Sequence, residues 1–244
     1  MHLANPGAVI ENTLRRKLLG DYFKSKGNNG LLLDLGCGPR PYYDLYAPHY
    51  IKTIGADLQD SPFPKANIDL YCSATQVPLE NESVDTVLST EVMHDMSEPR
   101  EMLREINRLL KPGGTVILTT PFVVPTVDGV YDHYRYTEQG LRYLLTKENF
   151  EIKSITPVSD VIGAFFTLGV KPWLRFWNQL SKKLHLKFIY TAWNPFFLVT
   201  VLFPQALYLW TAKLPLIRSF YRKFTYGAIG FVTVAEKKSG TGND

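Results

Sequence analysis

Apolar residues follow two different periods along the first two thirds of the chain. Val9, Ile10, Leu14, Leu18, Leu19 and Phe23 recur every three or four positions, which predicts an amphipathic helix over residues 8–25. Short apolar runs come next: LLLDLG, TIGADL, IDLYCSA, VDTVLST and TVILTTPF, each separated from the next by a helical or turn-rich stretch. That order predicts a parallel sheet with crossover helices. The helix EPREMLREINRLLK is expected to stop at Lys111-Pro112-Gly113-Gly114, since proline and glycine cannot continue it. A further helix, TEQGLRYLLTKEN, has Thr137 in position to cap its first turn and leads into the strand FEIKSITPVS. Much later, GAIGFVTVAEK reads as a last strand, which makes seven.

Charge divides the chain in two. Between Val161 and Ala235 there is no Asp or Glu, while nine Lys and Arg residues fall there, leaving −5 for the rest of a chain whose net charge is +4. All four tryptophans (Trp173, Trp177, Trp193 and Trp210) lie in the same stretch. The organisation expected is a core over residues 1–160, a helical basic and aromatic insertion over 161–225, and a last core strand over 226–238. Two cysteines, Cys37 and Cys72, suggest neither a disulfide framework nor a thiolate metal site. The N-terminal stretch lacks the basic start and unbroken apolar run of a secretory signal, so cytoplasmic residence is expected.

The first strand ends in a turn, LLLDLGCGPRPYYD, that invites a cofactor. A dinucleotide fingerprint needs a third glycine where Pro41 stands, and a phosphate loop needs Gly-Lys-Ser/Thr, which does not follow. A ligand without a pyrophosphate fits better, with Gly36 and Gly38 permitting close backbone approach. Asp57 ends the second strand about twenty residues later, where a carboxylate can accept both hydroxyls of a ribose.

Taken together, LLLDLGCGPRPY, GADL, CSATQVPLENESVDTVLSTEVM and EINRLLKPGGTVILTTPF resemble the motifs of class I S-adenosylmethionine-dependent methyltransferases, in the family's order and spacing over residues 30 to 125. The resemblance implies a Rossmann-like α/β fold with a seven-stranded sheet and its last strand antiparallel. By the same resemblance Asp34, Gly36, Cys37 and Gly38 receive the methionine part of S-adenosylmethionine, Asp57 binds its ribose and Leu58 lies against its adenine. Ser73 stands where the family usually has an acidic residue facing the adenine amino group, so Ser73 and Ala74 are expected to serve through hydroxyl and backbone. Thr90 and Glu91 are implied near the methionine end. The family's leucine-glutamate-histidine tail is here Met93-His94-Asp95, so His94 is not the family histidine. The segment YDHYRYT and the turn ending Gly38-Pro39-Arg40-Pro41-Tyr42 also resemble a bacterial branch linked with surface-polysaccharide and lipid biosynthesis.

Methyl transfer from a sulfonium is an in-line displacement and needs no metal, but a hydroxyl acceptor gains from a base within hydrogen-bond reach. Asp128, Asp132 and His133, in the loop after the fifth strand, are the candidates, with His133 and Asp132 foremost. A structural ion pair between Asp132 and Arg135 is the competing reading. Nucleic-acid and arginine acceptors are set aside: Ser89-Thr90-Glu91-Val92 is no Asn/Asp-Pro-Pro-aromatic motif, and a second glutamate beside Glu91 is missing.

Phe188 to Ala212 carries no charge, a length sufficient to span a bilayer, yet Pro195 and Pro204 interrupt it and the last strand must return to the same sheet. A helical cap over the site, a re-entrant hairpin or an element lying on a membrane surface remain, with a buried dimer or core interface as the competing reading. The expectation is O-methylation of a hydroxyl on a hydrophobic, lipid-linked or membrane-proximal small molecule, with peripheral contact to the cytoplasmic membrane face through 161–225. The alternatives are a soluble sugar or natural-product O-methyltransferase lidded by the insertion, and a non-catalytic cofactor-binding partner. No nucleic-acid partner is expected; homo-oligomerisation is left open.

Overall fold

A computed structural model describes residues 9–25, 30–61, 67–124, 131–184, 198–214, 217 and 228–239. The elements run α1 (Val9–Ser25), β1 (Leu31–Leu35), α2 (Tyr43–Tyr46), β2 (Lys52–Asp57), β3 (Leu70–Tyr71), β4 (Val84–Thr90), α3 (Pro99–Leu109), β5 (Leu110–Pro121), α4 (Glu138–Lys147), β6 (Phe150–Pro157), α5 (Val161–Leu184), α6 (Phe203–Thr211) and β7 (Gly230–Lys237). Seven strands form one sheet in the order β3-β2-β1-β4-β5-β7-β6. The ladders from β3 through β5 are parallel, and β7 runs antiparallel to β5 from Thr115↔Glu236 to Pro121↔Gly230. The expected fold class is met.

The chain divides into two compact units. The larger comprises residues 16–122, 126–156 and 230–244 and holds the whole sheet except Pro157 at the end of β6. Its central strands are buried on both faces: Leu32, Leu33, Val87, Leu88, Ile117 and Leu118 have almost no exposure. Helix α3 turns Met102, Leu103, Ile106 and Leu109 inward and keeps Arg100, Glu101 and Arg104 off that face. Each such apolar side chain contributes roughly 1.5–3 kcal/mol of burial free energy. Arg100 and Arg104 both donate to the buried carboxylate of Glu148, at 2.6 and 3.1 Å, tying α3 to the end of α4. As expected, Thr137 caps α4: its Oγ1 accepts from the Gly140 amide at 3.0 Å.

Two expected elements differ from those observed. Helix α3 ends at Leu109 rather than Lys111, because Leu110 is already extended and pairs with Val84 of β4. Pro112 disfavours helical backbone at Lys111, and Lys111 to Gly114 occupy the irregularity before Thr115 pairs with Thr86. The run IDLYCSA yields only Leu70–Tyr71 as strand, at one edge of the sheet, where these two residues pair with Ala56 and Asp57.

The smaller unit comprises residues 1–15, 123–125 and 157–229. Ile10, Ala164, Tyr208 and Ile229 are its buried centre, with Leu14, Val123, Val124, Ile162, Phe166 and Leu209 packed on them. The Tyr208 hydroxyl donates to Asp160 Oδ1 at 3.0 Å, and the same carboxylate oxygen accepts from the amides of Ile162 and Gly163, fixing the start of α5 against α6. Among the described residues no helix is long and apolar enough to cross a membrane. Much of the acid-free run Phe188–Ala212, and Trp193 with it, lies outside the described residues.

Candidate functional site

In the larger unit the chain reverses its direction of travel across the sheet between β1 and β4, the switch point at which open parallel sheets bind ligands beyond their carboxyl ends. The glycine turn leaves β1 at this point. Gly36 and Cys37 both donate their amides to the carbonyl of Ala56 on β2, at 2.8 and 3.0 Å. Gly36 adopts φ +70°, and a Cβ there would meet Val92 Cγ2 at 2.2 Å, so the turn accepts only glycine at this position. Gly38, φ +48°, donates its amide to Asp57 Oδ2 at 2.7 Å, while the Leu58 amide donates to Asp57 Oδ1 at 2.7 Å. Two backbone amides thus orient the Asp57 carboxylate, and each oxygen retains a second lone pair able to accept a hydroxyl. The next side chain, Leu58, is large, apolar and 46 % exposed, available to an aromatic ring.

Asp34 lies beneath this turn at 2 % exposure. Burial raises its carboxyl to about 6, opposed by the Tyr46 hydroxyl, which donates to Asp34 Oδ2 at 2.8 Å, and by the Arg40 guanidinium. Arg40 itself donates to the Tyr46 hydroxyl at 3.0 Å, to Asp69 at 2.9 Å and to Thr53 at 3.2 Å, with its guanidinium over the Tyr43 ring. This chain, buried at Asp34, Tyr46 and Arg40 and ending at the exposed Asp69, gives Arg40, Tyr43 and Tyr46 a role that the motif alone leaves open. Burial also pushes the Cys37 thiol up to about 12, so it stays protonated and is no nucleophile at neutral pH.

The remaining expected residues sit at neighbouring strand ends. Ser73 turns its hydroxyl to Thr75, whose Oγ1 lies at 2.9 Å and whose amide donates to it at 3.2 Å; Ala74 is buried beside it. At the end of β4, Thr90 is followed by Glu91 in left-handed backbone, φ +56°. The Glu91 amide donates to the carbonyl and hydroxyl of Thr119 on β5, and that hydroxyl donates back to Glu91 Oε1 at 2.8 Å. Glu91 is thereby fixed across the β4–β5 pair.

Of the candidate bases, Asp132 is held by Arg135, whose Nη2 donates to Oδ2 at 2.8 Å and whose Nη1 donates to Oδ1. His133 is exposed, its ring stacked on Tyr131. Asp128 lies outside the described residues. The unexpected participant is His94. The amides of His133 and Tyr134 donate to its carbonyl at 2.9 and 3.1 Å, clamping the YDHYRYT segment onto the turn after β4. Its Nε2 lies 3.1 Å from Asp95 Oδ1, and His94, Asp95 and Asp132 bring one ligand-type atom each within 4.8 Å of one another. Burial, then the charges of Asp132 and Glu91, raise Asp95 above the ordinary carboxylate range against the pull of His94. This nitrogen and oxygen donor set has the composition of a cation site, although Arg135 already neutralises one of its members. The sequence signal for His94 is its place directly after β4; its approach to Asp132 is a tertiary fact.

A glycine turn, an aspartate at the end of β2 and a glutamate directly after β4 stand on this sheet in the arrangement that class I S-adenosylmethionine-dependent methyltransferases share. Residues 33–118, about a third of the chain, match the family model described as "Methyltransferase domain", and S-adenosylmethionine is the cofactor that this likeness supports. The chain is 29 % identical over 135 residues to the "Ubiquinone biosynthesis O-methyltransferase" of Ruegeria pomeroyi, an alignment covering 49 % of this chain and 54 % of that one. It spans about half the length of the curated relatives it matches. The fold is also that of the "[4+2]-Cyclase SpnF", with a TM-score of 0.55 at 20 % identity over 92 % of this chain and 82 % of the other. The same fold is found in the phosphoethanolamine N-methyltransferase 2 of Haemonchus contortus, in complex with S-adenosylhomocysteine, with a TM-score of 0.54 at 17 % identity over 93 % of this chain and 53 % of the other.

Proposed function

We propose that the chain methylates a hydroxyl on a hydrophobic, lipid-linked or membrane-proximal small molecule. The observation that carries the reading is the group formed by His94, Asp95 and Asp132 at the strand end adjoining the cofactor motifs. Held by Asp57 and the glycine turn, the cofactor would supply an electrophilic methyl on a sulfonium and would leave as the neutral thioether S-adenosylhomocysteine, while the acceptor hydroxyl must lose its proton to a base. His94 receives the proton, and Asp95 and Asp132 stabilise the imidazolium that results. Asp57 and the glycine turn fix the donor end, and positioning of this kind supplies roughly 7–11 kcal/mol of barrier lowering. The relative from Ruegeria pomeroyi, named as an O-methyltransferase, supports the choice of oxygen over nitrogen or carbon.

The test is transfer of a labelled methyl group from S-adenosylmethionine across a panel of phenols, isoprenoid-bearing phenols and lipid-linked sugars. Transfer to a hydroxyl is expected, and His94→Ala should lower kcat by roughly a hundredfold or more without weakening cofactor binding. Transfer only to amines would overturn the acceptor class. An unaltered His94→Ala variant alongside an impaired His133→Ala variant would move the base to His133.

A further inference from the structure

Helix α6 is apolar on the side it turns outward. Its inner side is already occupied: Tyr208 belongs to the buried centre of the smaller unit, and Val201 and Gln205 are buried with it. On the other side Val199, Phe203, Leu207, Trp210 and Leu214 are exposed, Phe203 by 61 % and Trp210 by 59 %. At 3.6 residues per turn Phe203, Leu207 and Trp210 fall within about a sixth of the α6 circumference, with Val199 just before the helix and Leu214 just after it. An ordinary surface helix keeps polar residues there. The first turns of α5 repeat the pattern with Val161, Phe165 and Leu168, of which Phe165 is 72 % exposed. After Pro172, Trp173 and Phe176 are again exposed, with their rings stacked. Ala164 and Phe166 face Tyr208 across the α5–α6 contact, so these outward residues belong to two helices of one packed unit.

Charge selects the occupant. From Val161 to Ala235 there are nine basic residues and no acidic one, including Lys183 on α5 and Lys213 just after α6, both exposed. A second copy would bring the same positive charge against this surface. An anionic bilayer offers the opposite charge and an apolar layer for the aromatic side chains to enter, with Trp210 suited to the headgroup boundary. We propose that the outward faces of α5 and α6 are a docking surface for anionic membrane, on which the helices lie without crossing. As a binding surface it is read independently of the transfer chemistry; as the route to a hydrophobic acceptor it rests on the O-methylation proposed above.

The test is density-gradient flotation of the full chain with phosphatidylcholine vesicles, with and without phosphatidylglycerol. The chain should float with the phosphatidylglycerol-containing vesicles and remain at the bottom with phosphatidylcholine alone. The Phe203→Ser/Trp210→Ser double variant should partition at least about tenfold less, and Lys213→Gln about fivefold less. Calorimetric binding of S-adenosylmethionine, read in parallel, should not change in either variant and reports that the fold is intact. Absence of flotation, or equal flotation of the wild type and the double variant, would overturn the assignment. So would a lipid-independent dimer, or retention on RNA, lost in the double variant while vesicles fail to bind. Absent flotation beside intact methyl transfer to a soluble acceptor would remove the docking surface and leave the proposed chemistry standing.

Discussion

Replacing Asp34 by asparagine isolates a buried ionisation that works against the fold. The Asp34 carboxyl is raised by burial from an ordinary 3.8 to about 6. Between about pH 4 and 6 the native state therefore binds more protons than the unfolded chain. Asp34's contribution to stability is complete below about pH 4 and is lost as pH rises through 6. The shift corresponds to roughly 3 kcal/mol, which native Asp34 forfeits at pH 7.5 relative to pH 4. Asparagine retains an oxygen to accept the Tyr46 hydroxyl, now at 2.8 Å, and has no charge to bury. Urea unfolding of both proteins at pH 4 and pH 7.5 should show the stability of Asp34→Asn, relative to wild type, improving by about 3 kcal/mol across that interval. In thermal melts the same change is roughly 6–12 °C for a chain of this size. The variant should bind S-adenosylmethionine more weakly, since the resemblance assigns Asp34 to the methionine end. A stability difference independent of pH would refute the reasoning, because it would mean that Asp34 titrates alike in the folded and unfolded chain.

Gly36→Ala should destabilise the chain by about 1–3 kcal/mol in denaturant unfolding, since the backbone is left-handed and the new methyl meets Val92. Adding Val92→Ala should recover the steric part and leave the φ penalty. Thr137→Ala removes the side-chain acceptor for the Gly140 amide and should lower stability by about 1 kcal/mol in the same assay, with S-adenosylmethionine affinity unchanged.

What could be read from the sequence was what local chemistry fixes. Gly36 and Asp57 announce themselves because a left-handed turn needs glycine and a strand end twenty residues on needs a carboxylate; the amide bond from Gly38 to Asp57 joins the two. Thr137 is legible for the same reason, as a cap acts within its own first turn. The chain Asp34–Tyr46–Arg40–Asp69 was not legible, because no short-range pattern tells that a tyrosine and an arginine will be buried over an aspartate on β1. The same holds for His94, which gains its setting from Asp132 and the backbone of His133, on the far side of α3 and β5 in the chain. The third strand was overestimated because the apolar content of IDLYCSA does not say how far it pairs: only Leu70 and Tyr71 meet β2, and neither is buried. The acid-free aromatic stretch was visible, but the outward facing of Phe203 and Trp210 depends on which side of α6 Tyr208 takes into the core.

The central claim is that Asp57 and the glycine turn hold the ribose and methionine of S-adenosylmethionine. Isothermal titration of the wild-type chain and of Asp57→Ala with S-adenosylmethionine tests it most directly. Hydrogen bonds to a charged acceptor contribute about 1.5–3 kcal/mol each, so losing two hydroxyl contacts should weaken binding by roughly a hundredfold or more. One site per chain is expected in the wild type, with that loss in Asp57→Ala and an unchanged circular dichroism spectrum. Equal affinities for the two proteins, or no binding to a folded wild-type chain, would contradict it.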